Sequence, residues 1–202
     1  MNAKTTMKNA AVMVGRLNPP TIGHYKVIDE MKKFIRENDD LKISKAFLIL
    51  VEGKETSKDK EKNPLSAEDR KTFIEASGKA NGIQILIASS AFDAFEKVKD
   101  QGYRIKAIAA GDDRADKYVS MVEKYFDSPN CEMIPNLERN NISPENLIHL
   151  TLDDINPSVA SGSLARKAVD LDKEDIFAKI VGLEKKPKLS KNLFDKIKKS
   201  MG

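Results

Sequence analysis

Four stretches of this chain, residues 10–15, 46–51, 83–88 and 105–110, are apolar and β-favouring, broken only by Gln84 and Lys106. None alternates polar with apolar, as a strand with one wet face would, so each suits a strand covered on both sides. Between them the spacing becomes helical. Residues 24–36 place Val27, Ile28, Met31 and Ile35 at helical intervals, 67–79 carry Phe73 and Ile74, and 91–99 carry Phe92, Phe95 and Val98. Residues 117–126 read as a fourth helix and 131–134 as a short further strand. This alternation predicts an α/β doubly wound fold, a mostly parallel sheet with helices on both faces. Later the pattern changes. Residues 147–152 are apolar enough for a late strand that would contain His149, and 161–170 and 173–181 predict short helices. Residues 184–199 hold seven lysines against Glu184 and Asp195, with Leu189, Leu193, Phe194 and Ile197 at helical intervals. They predict an amphipathic helix packed back on the body, so the expected organisation is a domain over 1–183 and a basic C-terminal helix over 184–202.

Composition narrows the chemistry. A chain of 202 residues suffices for one domain of ordinary size. With Cys131 as the one cysteine, and His24 and His149 as the only histidines, neither an intrachain disulfide nor a Cys/His zinc site can form. The balance of 35 basic and 31 acidic residues leaves a net charge of +4, a mixed surface and not a polyanion footprint. Tryptophan is absent and aromatics make up 6%, which argues against a base-stacking platform, so nucleic acid is not an expected partner. A bland solvated face is the reading favoured for the lysine-rich end, with nucleic-acid binding as its rival. No apolar run approaches the ~18–20 residues that a membrane span needs, and the opening MNAKTTMKNAAVMVG has only a short apolar stretch. A soluble, cytoplasmic protein is expected, with no membrane partner.

In open parallel sheets, ligands bind beyond the carboxyl ends of the strands, which directs attention to residues 15–23, 52–65, 89–90 and 111–114. The second of these loops, with GKETSKDKEK, has the composition of a mobile flap, or simply of a solvated loop. The first leaves a strand, turns at Pro19 and Pro20 and enters a helix at Gly23 and His24. That suits a phosphate site: Gly15 permits close backbone approach, and a helix N-terminus attracts anions. Thr21 can cap the helix or donate to phosphate. A capping histidine after an ordinary turn fits the same residues. Near the other end, Ser161 and Ser163 open a helix that carries Arg166 one turn in, hydroxyls and a forked cation suited to phosphate, or a serine-capped surface helix. Ser66 with Asp69 three residues on predicts a capping box. His149 reads as a strand residue, and Cys131 has no basic partner to activate it.

The stretch GRLNPPTIGH, residues 15–24, resembles the G-x-F-x-P-x-[HT]-x-G-H element of the HIGH superfamily of nucleotidyltransferases, with Thr21 at the first histidine position and Leu17 where Phe is usual. ASGSLAR, 160–166, is similar to that superfamily's I-S-[ST]-T-x-[IV]-R signature, degenerate at Ala160, Ser163 and Ala165. NPLSAEDR, 63–70, resembles a stretch in archaeal-type nicotinamide mononucleotide adenylyltransferases and related proteins of tailed bacterial viruses, and AGDDR, 110–114, resembles a G-[SA]-D-x element. The resemblance implies a Rossmann-like nucleotidyltransferase fold. It also implies transfer of a nucleotidyl group, usually adenylyl from ATP, to a small phosphorylated acceptor such as nicotinamide mononucleotide, with Mg²⁺ accompanying the triphosphate. By the same resemblance His24, Thr21 and Arg166 would be catalytic, and Gly15, Arg16, Asn18, Gly23, Gly111, Asp113, Ser161 and Ser163 would line the nucleotide, with Lys62 a further phosphate contact. No protein metal ligand is implied; the oligomeric state stays open, a homo-oligomer being common among relatives, and for a viral member the compartment would be the host cytoplasm. The alternatives are a cytidylyltransferase acting on a phosphorylated alcohol and a non-catalytic nucleotide-binding module.

Overall fold

The computed structural model describes residues 7–135 and 138–202, except for the side chains of Asp112 and Asp113. The chain forms two compact units: the described parts of 1–16, 28–53 and 82–136 make the first, and those of 17–27, 54–81 and 137–202 the second.

The first unit is built on a five-stranded sheet of order β3-β2-β1-β4-β5, made of β1 (Lys8–Gly15), β2 (Ile43–Val51), β3 (Gln84–Ala88), β4 (Tyr103–Ala109) and β5 (Glu132–Met133). Every pairing is parallel; Val12 of β1, for example, sits opposite Phe47 of β2 and Ile108 of β4. The strands predicted over 10–15, 46–51, 83–88, 105–110 and 131–134 are all present. The last is only two residues long, because Glu132 and Met133 are both exposed and offer the sheet no apolar face. Its helices are α3 (Ala91–Asp100), α4 (Asp112–Tyr125) and the part of α1 (Ile22–Glu37) from Ile28 onward. One core joins Ala10, Val12, Phe47 and Ile49 of the sheet to Phe95 and Val98 of α3 and Tyr118 and Val122 of α4. The alternate residues Ala11, Met13, Leu48 and Leu50 are equally buried, which is why these strands read as unbroken apolar runs. Chain order reverses between β1 and β4, so the loops after them diverge there, the position at which such sheets take ligands.

The second unit is helical. It contains the opening of α1, then α2 (Ala67–Ser77), α5 (Gly162–Asp170), α6 (Glu174–Val181) and α7 (Pro187–Met201) around a core that includes Leu65, Leu164, Phe177, Phe194 and Ile197. The predicted capping box opens α2: Ser66 Oγ accepts the Asp69 N–H and the Asp69 carboxylate accepts the Ser66 N–H. The amphipathic helix at the C-terminus forms as expected, with Leu193, Phe194 and Ile197 buried. Its lysines serve neighbouring helices. Lys186 donates to the carbonyls of Ala76 and Ser77 at the end of α2, at 2.8 and 3.0 Å, and Lys196 pairs with Asp69 at its start, at 2.6 Å. Lys191 bridges Glu174 and Asp195, and Lys198 pairs with Asp172.

The late strand expected over 147–152 does not form, and His149 is not a strand residue. Pro144–His149 and Leu152–Asp154 are short 3-10 helices instead. The reason is burial: Leu147 is buried, whereas Ile148 and Leu152 are 58% and 43% exposed, so the segment has one apolar anchor and no apolar face. Pro144 at its start also favours a helical turn. The stretch over 52–65 is more structured than a featureless flap. It holds a 3-10 helix at Thr56–Lys58, a bond from the Asn63 side chain to the Thr56 carbonyl at 2.7 Å, and a buried end at Asn63, Pro64 and Leu65. No helix among the described residues is long and apolar enough to cross a membrane.

Candidate active site

The expected site residues of the second unit converge through backbone contacts. Asn18 and Pro19, joined by a cis peptide bond, follow Leu17, whose φ of 48° is left-handed. Asn18 is buried, and its side chain is tied to the backbone of Leu65: Nδ2 donates to the Leu65 carbonyl at 2.8 Å, and Oδ1 accepts the Leu65 N–H at 3.2 Å. The loop after β1 is thereby held to the segment that precedes α2. Its carbonyl, in turn, accepts a bond of 2.5 Å from Arg166 Nη1, while Arg166 Nη2 donates to Ser163 Oγ at 3.1 Å. Both nitrogens of the Arg166 fork are thus fixed by the loop and by its own helix.

Thr21 is the N-cap of α1 in all but its side chain: its carbonyl accepts the N–H groups of His24 and Tyr25. The reciprocal bond comes from the third helical residue, because Thr21 N–H donates to His24 Nδ1 at 3.1 Å. Thr21 Oγ1 lies 2.9 Å from the same nitrogen and 3.4 Å from the Ala160 carbonyl. A nitrogen that accepts a backbone N–H carries no proton, so these bonds assign the proton of a neutral ring to Nε2. The ring is neutral: burial, and after it the charge of Arg139, push its pKa down to about 3. The residue keeps part of its surface accessible. Of the two roles open to His24, donor from a neutral ring or imidazolium, the free protein holds the first. Thr21 is fully buried and positions the ring.

Two glycines permit this packing. A Cβ on Gly23 would stand 2.7 Å from the Pro157 carbonyl oxygen and 2.9 Å from that of Ala160, and would overlap the Arg139 guanidinium. On Gly162 it would meet the Asn18 carbonyl oxygen at 3.0 Å and Arg166 Nη1 at 3.2 Å. Ser161 caps α5, its hydroxyl accepting the Leu164 N–H at 3.2 Å. The remaining expected residues lie in the first unit: Gly15 ends β1 opposite Leu50, Arg16 follows it exposed, and Gly111 is the N-cap of α4. The Asp113 side chain lies outside the described residues. His149 is exposed at the end of its 3-10 helix, and Cys131 is buried, its thiol pushed up to about 12 by burial and by Glu123.

Within the second unit a cavity of about 700 Å³ is bordered by Lys62, Ser163, Arg166, Lys167 and Lys198 and by the acids Glu61, Glu145 and Asp170. It shares Arg166 and Ser163 with the cluster just described but does not reach His24. Lys62 belongs to this wall; its ammonium pairs with Asp59 at 3.2 Å. The Asp59 carboxyl is held below its ordinary range first by the Lys62 N–H, then by the Lys62 ammonium, with Arg166 contributing at a distance. The residue that sequence reasoning missed is Arg139. It lies in a polar stretch with no periodicity or motif, and its place depends on a tertiary contact, the bond from Nη1 to the Ala160 carbonyl at 2.9 Å.

The arrangement supplies an N–H donor from a neutral imidazole at a helix start and a guanidinium fork one turn into a second helix, both suited to polyphosphate oxygens. A comparison with curated proteins returned no match. A family model described as cytidylyltransferase-like matches residues 12–168, a span that takes in the strand-to-helix turn at one end and Arg166 at the other. With that span covering most of the chain, and the all-parallel sheet and flanking helices agreeing with it, the chain belongs to the cytidylyltransferase-like family of nucleotidyltransferases.

Proposed function

We propose that this protein transfers an adenylyl group from ATP to the phosphate of a small acceptor, nicotinamide mononucleotide being the first to test, and releases pyrophosphate. The observation that carries the reading is the joint fixing of His24 and Arg166 by one short loop: Thr21 holds the imidazole and Asn18 holds the guanidinium. The choice of ATP and of that acceptor rests on the resemblance of NPLSAEDR, residues 63–70, to adenylyltransferases of that kind. An acceptor phosphate is already anionic near neutral pH, so no general base is needed. An acceptor oxygen attacks the α-phosphorus, a new P–O bond forms, the bond to the β-phosphate oxygen breaks, and its electron pair leaves with pyrophosphate. The His24 Nε2–H donates to the α-phosphate as negative charge builds there, while Arg166 and the Ser163 hydroxyl hold the β- and γ-phosphates. Among the described residues no three His, Cys, Asp or Glu side chains form a group that could hold a metal ion. By the family resemblance, magnesium would enter as part of the substrate, carried on the triphosphate.

The test is pyrophosphate release with Mg²⁺, each of the four common nucleoside triphosphates and a panel of acceptors: nicotinamide mononucleotide, phosphopantetheine, choline phosphate and glycerol 3-phosphate. One pair should give turnover, and His24→Ala should lower its kcat by roughly 10²–10³. A choline phosphate signal with CTP would favour the cytidylyl alternative. Silence across the panel, with ATP still binding by calorimetry, would favour a non-catalytic module.

A further inference from the structure

The cavity beside Arg166 is larger than transfer to a small acceptor requires. One wall is a single face of α5: Ser163, Arg166, Lys167 and Asp170 line it and recur at i, i+3, i+4 and i+7, the spacing of a helical stripe. Glu61 and Lys62, from the segment before α2, form a second wall, and Lys198 and Met201, from the last turn of α7, a third. Because α7 lies beyond residues 12–168, this third wall is an addition to the span that the family covers. At about 700 Å³ the cavity has the size of a site for a whole small ligand, more than the β- and γ-phosphates assigned to Arg166 and Ser163 can fill.

Its position decides which part of a ligand it takes. In phosphoryl and nucleotidyl transfer the attacking and leaving oxygens lie in line, so the acceptor approaches opposite the departing pyrophosphate. A cavity that touches Arg166 and Ser163 but does not reach His24 is on the leaving-group side. It has no place for the acceptor, and it has room for a group attached beyond the γ-phosphate. The charges suit an anionic group. Lys62 pairs with Asp59 and Lys198 with Asp172, and neither of these aspartates lines the cavity, so both lysines bring their charge to it. Exposed pairs of this kind are worth little, and a phosphate, as the stronger acceptor, can replace either carboxylate. Lys167 and Asp170 neutralise each other at 2.7 Å. That leaves Lys62, Arg166 and Lys198 facing Glu61 and Glu145, a positive balance.

We propose that this cavity is a polyphosphate subsite in which Lys198 of α7 binds a phosphate beyond the γ-phosphate, so that the protein takes nucleoside polyphosphates longer than a triphosphate. The inference rests on the proposed function for the placing of the β- and γ-phosphates at Arg166 and Ser163.

Calorimetry on the whole chain, with Mg²⁺ and at constant ionic strength, compares ATP with adenosine 5′-tetraphosphate. The tetraphosphate should bind about tenfold more tightly, the worth of one charge-assisted hydrogen bond. Lys198→Gln should erase that gain and leave the Kd of ATP within about threefold of wild type, whereas Lys198→Arg should keep most of the gain. Lys199→Gln removes the same charge from the next residue of α7, which does not line the cavity, and should leave the gain intact. Equal Kd values for the two nucleotides in the wild type would overturn the proposal, a result that needs no variant to fold. An equal loss in Lys198→Gln and Lys199→Gln would also overturn it, by reducing the effect to diffuse attraction toward a basic helix. Inorganic tripolyphosphate separates this inference from the functional reading. If it binds in a Lys198-dependent manner while neither nucleotide binds, the subsite stands and nucleotidyl transfer fails. If ATP is bound and turned over with no gain from a fourth phosphate, the subsite alone fails.

Discussion

Replacing Gly23 by alanine tests the packing on which the site depends. At the second residue of α1, alanine gains up to ~1 kcal/mol of helix propensity over glycine, so propensity alone predicts a stabilised protein. The tertiary structure predicts the reverse. The new methyl would stand 2.7 and 2.9 Å from two backbone carbonyl oxygens, those of Pro157 and Ala160, closer than side-chain carbons are found. The Arg139 end can swing aside at the loss of its bond to Ala160, but the two carbonyls belong to the backbone and must move by several tenths of an ångström. Overpacking of this kind costs about 1–3 kcal/mol, and the lost hydrogen bond about 1 more. Against the propensity gain, a net loss of about 1–3 kcal/mol remains. At about 2–4 °C per kcal/mol for a chain of this length, Tm should fall by roughly 2–12 °C in a thermal melt. Because the shifted carbonyl is the one that Thr21 and Arg139 share, His24 should be displaced and kcat should fall by at least 10². The double variant Gly23→Ala/Arg139→Ala separates the contributions and should recover neither quantity, since the carbonyl contacts persist. A Gly23→Ala protein with wild-type Tm and turnover would refute the reasoning.

The other expectations concern single side chains. Asn18→Ala removes both bonds to the buried backbone of Leu65, and at ~1–3 kcal/mol per stranded polar group it should destabilise the chain by about 2–6 kcal/mol in urea titration; a loss under 0.5 would count against the tie. Arg166→Ala should raise the apparent KM for the triphosphate at least tenfold with a smaller change in kcat, and a normal KM would remove Arg166 from the phosphate site. His24 gives stability a pH dependence of definite sign. Its folded value of about 3 lies below the unfolded ~6.5, so as pH falls from ~6.5 toward 3 the unfolded chain binds the proton first, and stability is lost across that window. Allowing for partial exposure, the difference in unfolding free energy between wild type and His24→Gln should narrow by ~1–2 kcal/mol from pH 7 to pH 4; a constant difference would contradict a neutral ring. Cys131, buried with its thiol pushed up to about 12, should not react with a thiol reagent at pH 8 until the protein is unfolded, and rapid labelling of the native chain would show that reading to be mistaken.

The sheet was legible because its strands announce themselves: residues buried on both faces leave no polar position in 10–15 or 46–51, and no other common element has that pattern at that length. Caps were legible for a similar reason, as Ser66 with Asp69 satisfies its bonds within four residues. The segment around His149 was misread because Leu147, Ile148, Leu150 and Leu152 are apolar in composition, and composition does not say which of them the tertiary fold leaves outside. At the site, the turn into α1 and Arg166 could be named from residue type and resemblance, yet their coupling through Asn18, Leu65 and Ala160 uses backbone carbonyls, which every residue has and no sequence pattern marks. Arg139 belongs to the same class: only the contact with Gly23 and Ala160 distinguishes it from the other arginines.

Nucleotidyl transfer itself is tested most directly by following the phosphates. Phosphorus NMR of the protein with ATP, Mg²⁺ and nicotinamide mononucleotide should show a new diphosphate-diester resonance growing in step with pyrophosphate, and neither signal should grow with His24→Ala. Orthophosphate and ADP in place of pyrophosphate, or equal rates in the wild type and the variant, would contradict adenylyl transfer by His24 and Arg166.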